Sequence, residues 1–125
     1  MTDECERVAA NILVVPTTPL LTFLFFCLAQ VMVFARSYGP HNRQAKELLQ
    51  KISKSQNVHV EFLDVDLLPG WDSSLIMLEL QELTGQWSFP NIFIGQKHVG
   101  GNQELDQKHA LGELEEMIKT VGQEL

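Results

Sequence analysis

The sequence predicts an α/β domain: a mixed four-stranded sheet with helices on both faces. Three observations carry that prediction. Short apolar or alternating runs take turns with longer stretches whose apolar residues recur at helical spacing. Two late strand-like runs are separated only by Gly95-Gln96, which reads as a hairpin. The chain has 125 residues, 45% apolar and 20% charged. That suits one core large enough to need no metal or disulfide staple.

The elements follow in order. Val31-Met32-Val33-Phe34 reads as a buried strand. Pro40 suits the first turn of a helix, where its missing N–H costs nothing, and Ala45, Leu48, Leu49 and Ile52 form one apolar stripe behind it. The alternating, β-branched run Val58 to Val65 predicts a second strand, and Leu67 to Trp71, with Pro69-Gly70, a loop. Asp72 is placed as N-cap of a helix to about Leu83, stopped by Gly85. The hairpin pairs Asn91–Ile94 with Lys97–Val99 through a type II′ turn. Asn102 then caps a helical tail through Leu111, Leu114, Met117 and Ile118. A right-handed crossover makes the first two strands parallel, and the hairpin adds antiparallel ones.

The N-terminal 30 residues read differently, and are set apart from a domain spanning 31–122. Asp3, Glu4 and Glu6 open the chain, and Val8 to Ile12 fits a short helix. From Ile12 to Ala35 no side chain is charged. Three readings compete here. A membrane span has the length but is broken by Pro16 and Pro19 and has no basic flank. A signal peptide wants a positive start, whereas this one is acidic. The favoured reading is an insertion, Val14 to Gln30, leading into the first strand. Its Pro, Leu, Phe, Thr and Val composition fits pyrimidine-rich codons between a GT-type codon and a CAG, as an intron read in frame would give.

The net charge is −7, which argues against nucleic acid and anionic membrane as partners. Membrane contact is expected only if Ile12–Gln30 is a genuine segment. Cys5 and Cys27 make no disulfide framework, and with four scattered histidines they offer no metal-ligand spacing. Two free cysteines point to a reducing, cytoplasmic compartment.

Chemistry is expected where the first strand meets its helix, at Arg36-Ser37-Tyr38-Gly39-Pro40-His41-Asn42. A helix start favours negative charge, and a cysteine there would be a reactive thiolate. Four ordered segments cover about three quarters of the chain: 31–42, the strand ending Leu63-Asp64-Val65-Asp66, the run 80–95 containing Thr84-Gly85 and Ser88-Phe89-Pro90, and Lys97-His98-Val99-Gly100-Gly101. As an ordered set they resemble the glutaredoxins, whose domain has the thioredoxin fold and whose activity is glutathione-dependent disulfide oxidoreduction in redox homeostasis.

The departures from that pattern decide the expectation. The resemblance puts the family's C-P-x-C or C-x-x-S at Gly39-Pro40-His41-Asn42, so Gly39 stands at the nucleophile and Asn42 at the resolving position. Disulfide exchange proceeds by thiolate attack through a mixed disulfide. Without that sulfur there is no reagent, and the family's iron–sulfur bridging, which uses the same cysteine, goes with it. Cys5 and Cys27 are read as thiols without a role. The glutathione pocket implied by the resemblance is half kept. Arg36 retains the positive charge that holds a carboxylate, Phe89-Pro90 stands for the docking residue and cis-proline of T-V-P, and Gly101 keeps the following turn. Asn102-Gln103 loses the acid of G-G-x-D, and Trp87 replaces a basic or polar residue. Tyr38 completes the implied pocket. His41 is read as an exposed loop histidine, and Trp71 and Trp87 as packed loop residues.

The expected function is therefore a glutaredoxin-like module, redox-inactive at its degenerate site, that recognises glutathione or a thiol-bearing protein without metal or cluster. The alternatives are an enzyme, either a disulfide oxidoreductase using another thiol or a transferase using the Tyr38 hydroxyl, and a protein-interaction scaffold.

Overall fold

The structure is a computed structural model that describes residues 29–123. The expectations for residues 1–28, including the anchor, signal, insertion and intron readings and both cysteines, lie outside them.

Strand β1 (Val31–Ala35) is buried at every position and sits centrally. It pairs in parallel with β2 (Val60–Asp64) on one side and antiparallel with β3 (Asn91–Ile94) on the other; β4 (Lys97–Gly100) closes the order β2-β1-β3-β4. This is the mixed four-stranded sheet that the sequence predicts. Alternation along β1 divides the core in two. Val31, Val33 and Ala35 face α1 (Pro40–Ser55), α3 (Asn102–Ala110) and α4 (Glu113–Gly122), meeting Leu49, Leu105, Leu114 and Ile118. Met32 and Phe34 face α2 (Asp72–Thr84), meeting Ile76, Leu80 and Phe93.

Several local expectations are corrected. The second strand is shorter than Val58–Val65: Val58 sits in the approach, and Val65 opens a 3-10 turn to Leu67. Asp72 is the first residue of α2 and makes no cap; Trp71 holds that place, with no side-chain hydrogen bond. The hairpin turn has positive φ at both Gly95 (58°) and Gln96 (66°), which is type I′ geometry, not II′. The C-terminal tail is two helices. Gly112, at φ 76°, breaks it, and the corner is spanned by the Lys108–Glu113 ion pair and a contact between the His109 ring and the Glu115 carboxylate. The N-cap of α3 is Gly101, not Asn102, and the Glu104 carboxylate accepts its backbone N–H at 3.0 Å.

Gly85 does end α2 as expected, in the left-handed region with its N–H on the Gln81 carbonyl at 2.7 Å. Among the described residues no helix is long and apolar enough to cross a membrane.

Candidate functional site

The loop Arg36–Gly39 leaves the C-terminal end of β1 and is held from three directions. From below, Asn42 on the first turn of α1 is buried; its Oδ1 accepts the Arg36 backbone N–H at 3.0 Å and its Nδ2 donates to the Tyr38 carbonyl at 3.1 Å. From the side, Asp66, just past β2, accepts the Ser37 N–H at 2.8 Å and the Ser37 hydroxyl at 2.6 Å. Lys46 spans from α1 to Asp64 at 2.6 Å and reaches the Arg36 carbonyl at 3.4 Å. Sequence reasoning missed Asp66 and Lys46 as site residues. The one signal for Asp66 is an acid directly after a strand end.

The Ser37 hydroxyl, with lesser help from the Ser37 N–H and the Arg36 charge, holds the Asp66 carboxyl below its ordinary value of 3.8. A lowered folded pKa gives a contribution complete above the ordinary value and lost as pH falls through the lower one. The Ser37 amide resonance is therefore expected to stay fixed from neutrality down to about pH 4 and to titrate only below it. Titration of that resonance with a midpoint above 3.8 contradicts the clamp.

Arg36 is half-buried. Its guanidinium lies 5.4 Å from the Phe89 ring centroid and 5.9 Å from that of Tyr38, and its Nη1 donates to the Tyr38 hydroxyl at 3.3 Å. Two clefts flank this stack. One of about 230 Å³ runs past Gly39, Asn42, Arg43 and Lys46; the other, about 170 Å³, past Asp66, Ser73, Met77 and Phe89. The Phe89–Pro90 peptide bond is cis. Gln86 braces that loop, its amide donating to the Ser88 and Pro90 carbonyls at 2.9 and 3.0 Å. Gly101 lies against the same carbonyl: a Cβ there would stand 3.4 Å from the Pro90 oxygen. The structure thus brings Arg36, Tyr38, Phe89, Pro90 and Gly101 to one end of the sheet.

Other predicted residues fall elsewhere. The Asn102 side chain is buried and turned to α1, its Nδ2 donating to Gln44 at 3.1 Å and lying 3.4 Å from His41, while its Oδ1 has no partner among the described residues. Gln103 and His41 are exposed. Trp71 and Trp87 are 81% and 53% exposed, against the expectation that they pack their loops. Among the described residues there is no cluster of three or more His, Cys, Asp or Glu side chains able to hold a metal ion.

The family model for glutaredoxin matches residues 31–99. The chain belongs to the glutaredoxin family. A glutaredoxin of Ricinus communis is 36% identical over 92 residues, 74% of this chain and 84% of that protein. Glutaredoxin-1 of Bos taurus is 37% identical over 93 residues, 74% and 85%. In structure, a buckwheat glutaredoxin–glutathione complex superposes with a TM-score of 0.72 at 22% identity, covering 98% of this chain and 96% of that one. The fold is that of the glutaredoxins, a thioredoxin-like domain.

Glutathione-dependent disulfide oxidoreduction is the activity of this family. Two residues mark the start of α1. Gly39 is its N-cap, with φ 99° and ψ 143° and no side chain to cap or to react. Asn42, one turn on, presents an amide already engaged with two backbone groups.

Proposed function

We propose that this glutaredoxin recognises glutathione, or the glutathionyl part of a protein partner, and performs no thiol–disulfide exchange itself. The observation that carries the reading is the pair Gly39 and Asn42 at the mouth of α1. Exchange needs a thiolate to attack a sulfur of the substrate disulfide, and neither residue carries one. The same absence removes the cysteine through which family members hold an iron–sulfur cluster, so none is assigned.

Several features support retained recognition. Arg36 offers a full positive charge whose guanidinium lies beside the Phe89 and Tyr38 rings, an arrangement suited to a carboxylate because less side-chain freedom is lost on binding. Phe89, followed by cis Pro90 and backed by Gly101, supplies backbone groups for an extended tripeptide. The buckwheat relative is a complex with glutathione, which makes this ligand the natural first candidate. The eroded γ-glutamyl end weakens the interaction, since Gln103 is neutral and the Asn102 amide faces α1. The transferase reading has less support, since Tyr38 is 61% exposed. A reducing, cytoplasmic setting belongs to the same proposal.

Calorimetry with reduced glutathione tests it. A dissociation constant on the order of 1 mM, about −4 kcal/mol, is expected for the native chain. In Arg36→Glu the heat is expected to vanish, because reversing a charge opposite a carboxylate costs roughly 2–5 kcal/mol. A native chain that gives no heat with excess ligand, or an Arg36→Glu variant that titrates like it, refutes glutathione recognition and leaves the interaction scaffold.

A further inference from the structure

We infer that Asn42 is the positioning residue of the Arg36–Gly39 loop, and that glycine at 39 is the condition under which it works, so that a cysteine returned to position 39 is not a competent thiol while Asn42 remains. The inference rests on residues 36–42 being the ligand loop, but its test needs no ligand.

Backbone torsions connect the two residues. Pro40 follows Gly39 and holds it in extended ψ, observed at 143°, so φ at 39 is the remaining soft torsion between the loop and α1. That torsion sets where the Tyr38 carbonyl points. At φ 99° the carbonyl meets the Asn42 amide at 3.1 Å, while Asn42 Oδ1 takes the Arg36 N–H at 3.0 Å. One buried side chain thus fixes both ends of the turn that presents Arg36 and Tyr38. Only glycine holds this φ and ψ without strain. A Cβ on the same backbone would also stand 3.3 Å from Asn42 Nδ2, tighter than ordinary contact. A cysteine has two choices. It keeps the strained φ and crowds the amide, or it relaxes to negative φ and swings the Tyr38 carbonyl away from Asn42. Either way the thiol and the bridge compete. Shortening Asn42 to serine removes the bridge and lets a cysteine at position 39 take an ordinary φ at the helix start, where a thiol is acidified.

The test uses the full chain in a Cys5→Ser/Cys27→Ser background, comparing Gly39→Cys, Asn42→Ser and the double variant. Tyr38 is the single tyrosine, so fluorotyrosine labelling gives one fluorine resonance that reports the loop. Thiol reactivity toward a neutral aromatic disulfide is followed against pH. The double variant is expected to react about tenfold faster than Gly39→Cys near pH 6, with its profile displaced to lower pH. The Tyr38 resonance is expected to move in Gly39→Cys and in Asn42→Ser, and the double variant to lose less melting temperature than the two single losses added. The inference is overturned if Gly39→Cys reacts like the double variant with Tyr38 at its native position, or if the melting losses add. Should Gly39→Cys fail to fold, Asn42→Ser decides: an unmoved Tyr38 resonance overturns the inference, and a moved one in a protein that still unfolds cooperatively supports it.

Discussion

Truncation of Phe34 to alanine is expected to destabilise the domain by about 3–5 kcal/mol. Phe34 lies on the central strand, fully buried, and packs edge-on against Phe93 with ring centroids 5.9 Å apart. Among the described residues it packs against Ile76 and Leu80 of α2, with Met32, Val65 and Phe93 in the same cluster. The loss combines hydrophobic transfer, an unfilled cavity and a severed aromatic pair. Small domains hold only about 5–15 kcal/mol in total, so the variant should sit near the edge of folding at physiological temperature. Urea unfolding measures it: the midpoint is expected to fall sharply at unchanged slope. Phe34→Leu, closer in volume, is expected to lose clearly less. A Phe34→Ala loss below about 1 kcal/mol contradicts the two-sided core.

The second large effect is chemical. Turnover of a mixed disulfide between glutathione and a small thiol is expected to stay at the buffer rate, whatever the protein concentration. Attack at sulfur requires a thiolate, and a helix start acidifies only a thiol that is present. Here the helix start carries a hydrogen at Gly39 and, a turn later, an amide engaged at both its oxygen and its nitrogen. No rearrangement of Arg36, Tyr38 or Ser37 supplies the missing atom, so the expected deficit against a cysteine-bearing glutaredoxin is the whole catalytic factor. Cys5 and Cys27 lie outside the described residues; removing both should leave the buffer-level rate unchanged.

The layered fold was legible because its cues are local and repeated. Ala45, Leu49 and Ile52 announce one buried helix face, β1 is continuously apolar, and Gly85 stops α2 as helix-terminal glycines do. The errors share a cause: they lie where a side chain's direction depends on distant partners or a torsion departs from its residue's habit. Gln96 adopts a positive φ that its residue type does not advertise, which turned a II′ expectation into I′. Asn102 looked like a cap, but Gly101 holds that place and the Asn102 Nδ2 donates to Gln44 on α1. The Ser37–Asp66 clamp joins residues 29 apart and has no periodic signature. Gly112 was visible between Leu111 and Leu114, yet only φ 76° shows that it breaks the helix. Of the site, Arg36, Phe89 and Pro90 were readable through resemblance to the family. The bridging role of Asn42 was not, because a resemblance records what a position has lost, whereas the hydrogen bonds show what it now does.

The most direct measurement is a coupled assay of glutathionylated substrate with reduced glutathione and glutathione reductase, run at rising concentrations of the native chain beside a cysteine-bearing relative. A flat line is predicted for this chain and a rising one for the relative. A slope comparable to the relative's would contradict the account, and its loss in the Cys5→Ser/Cys27→Ser variant would assign the reaction to one of those thiols.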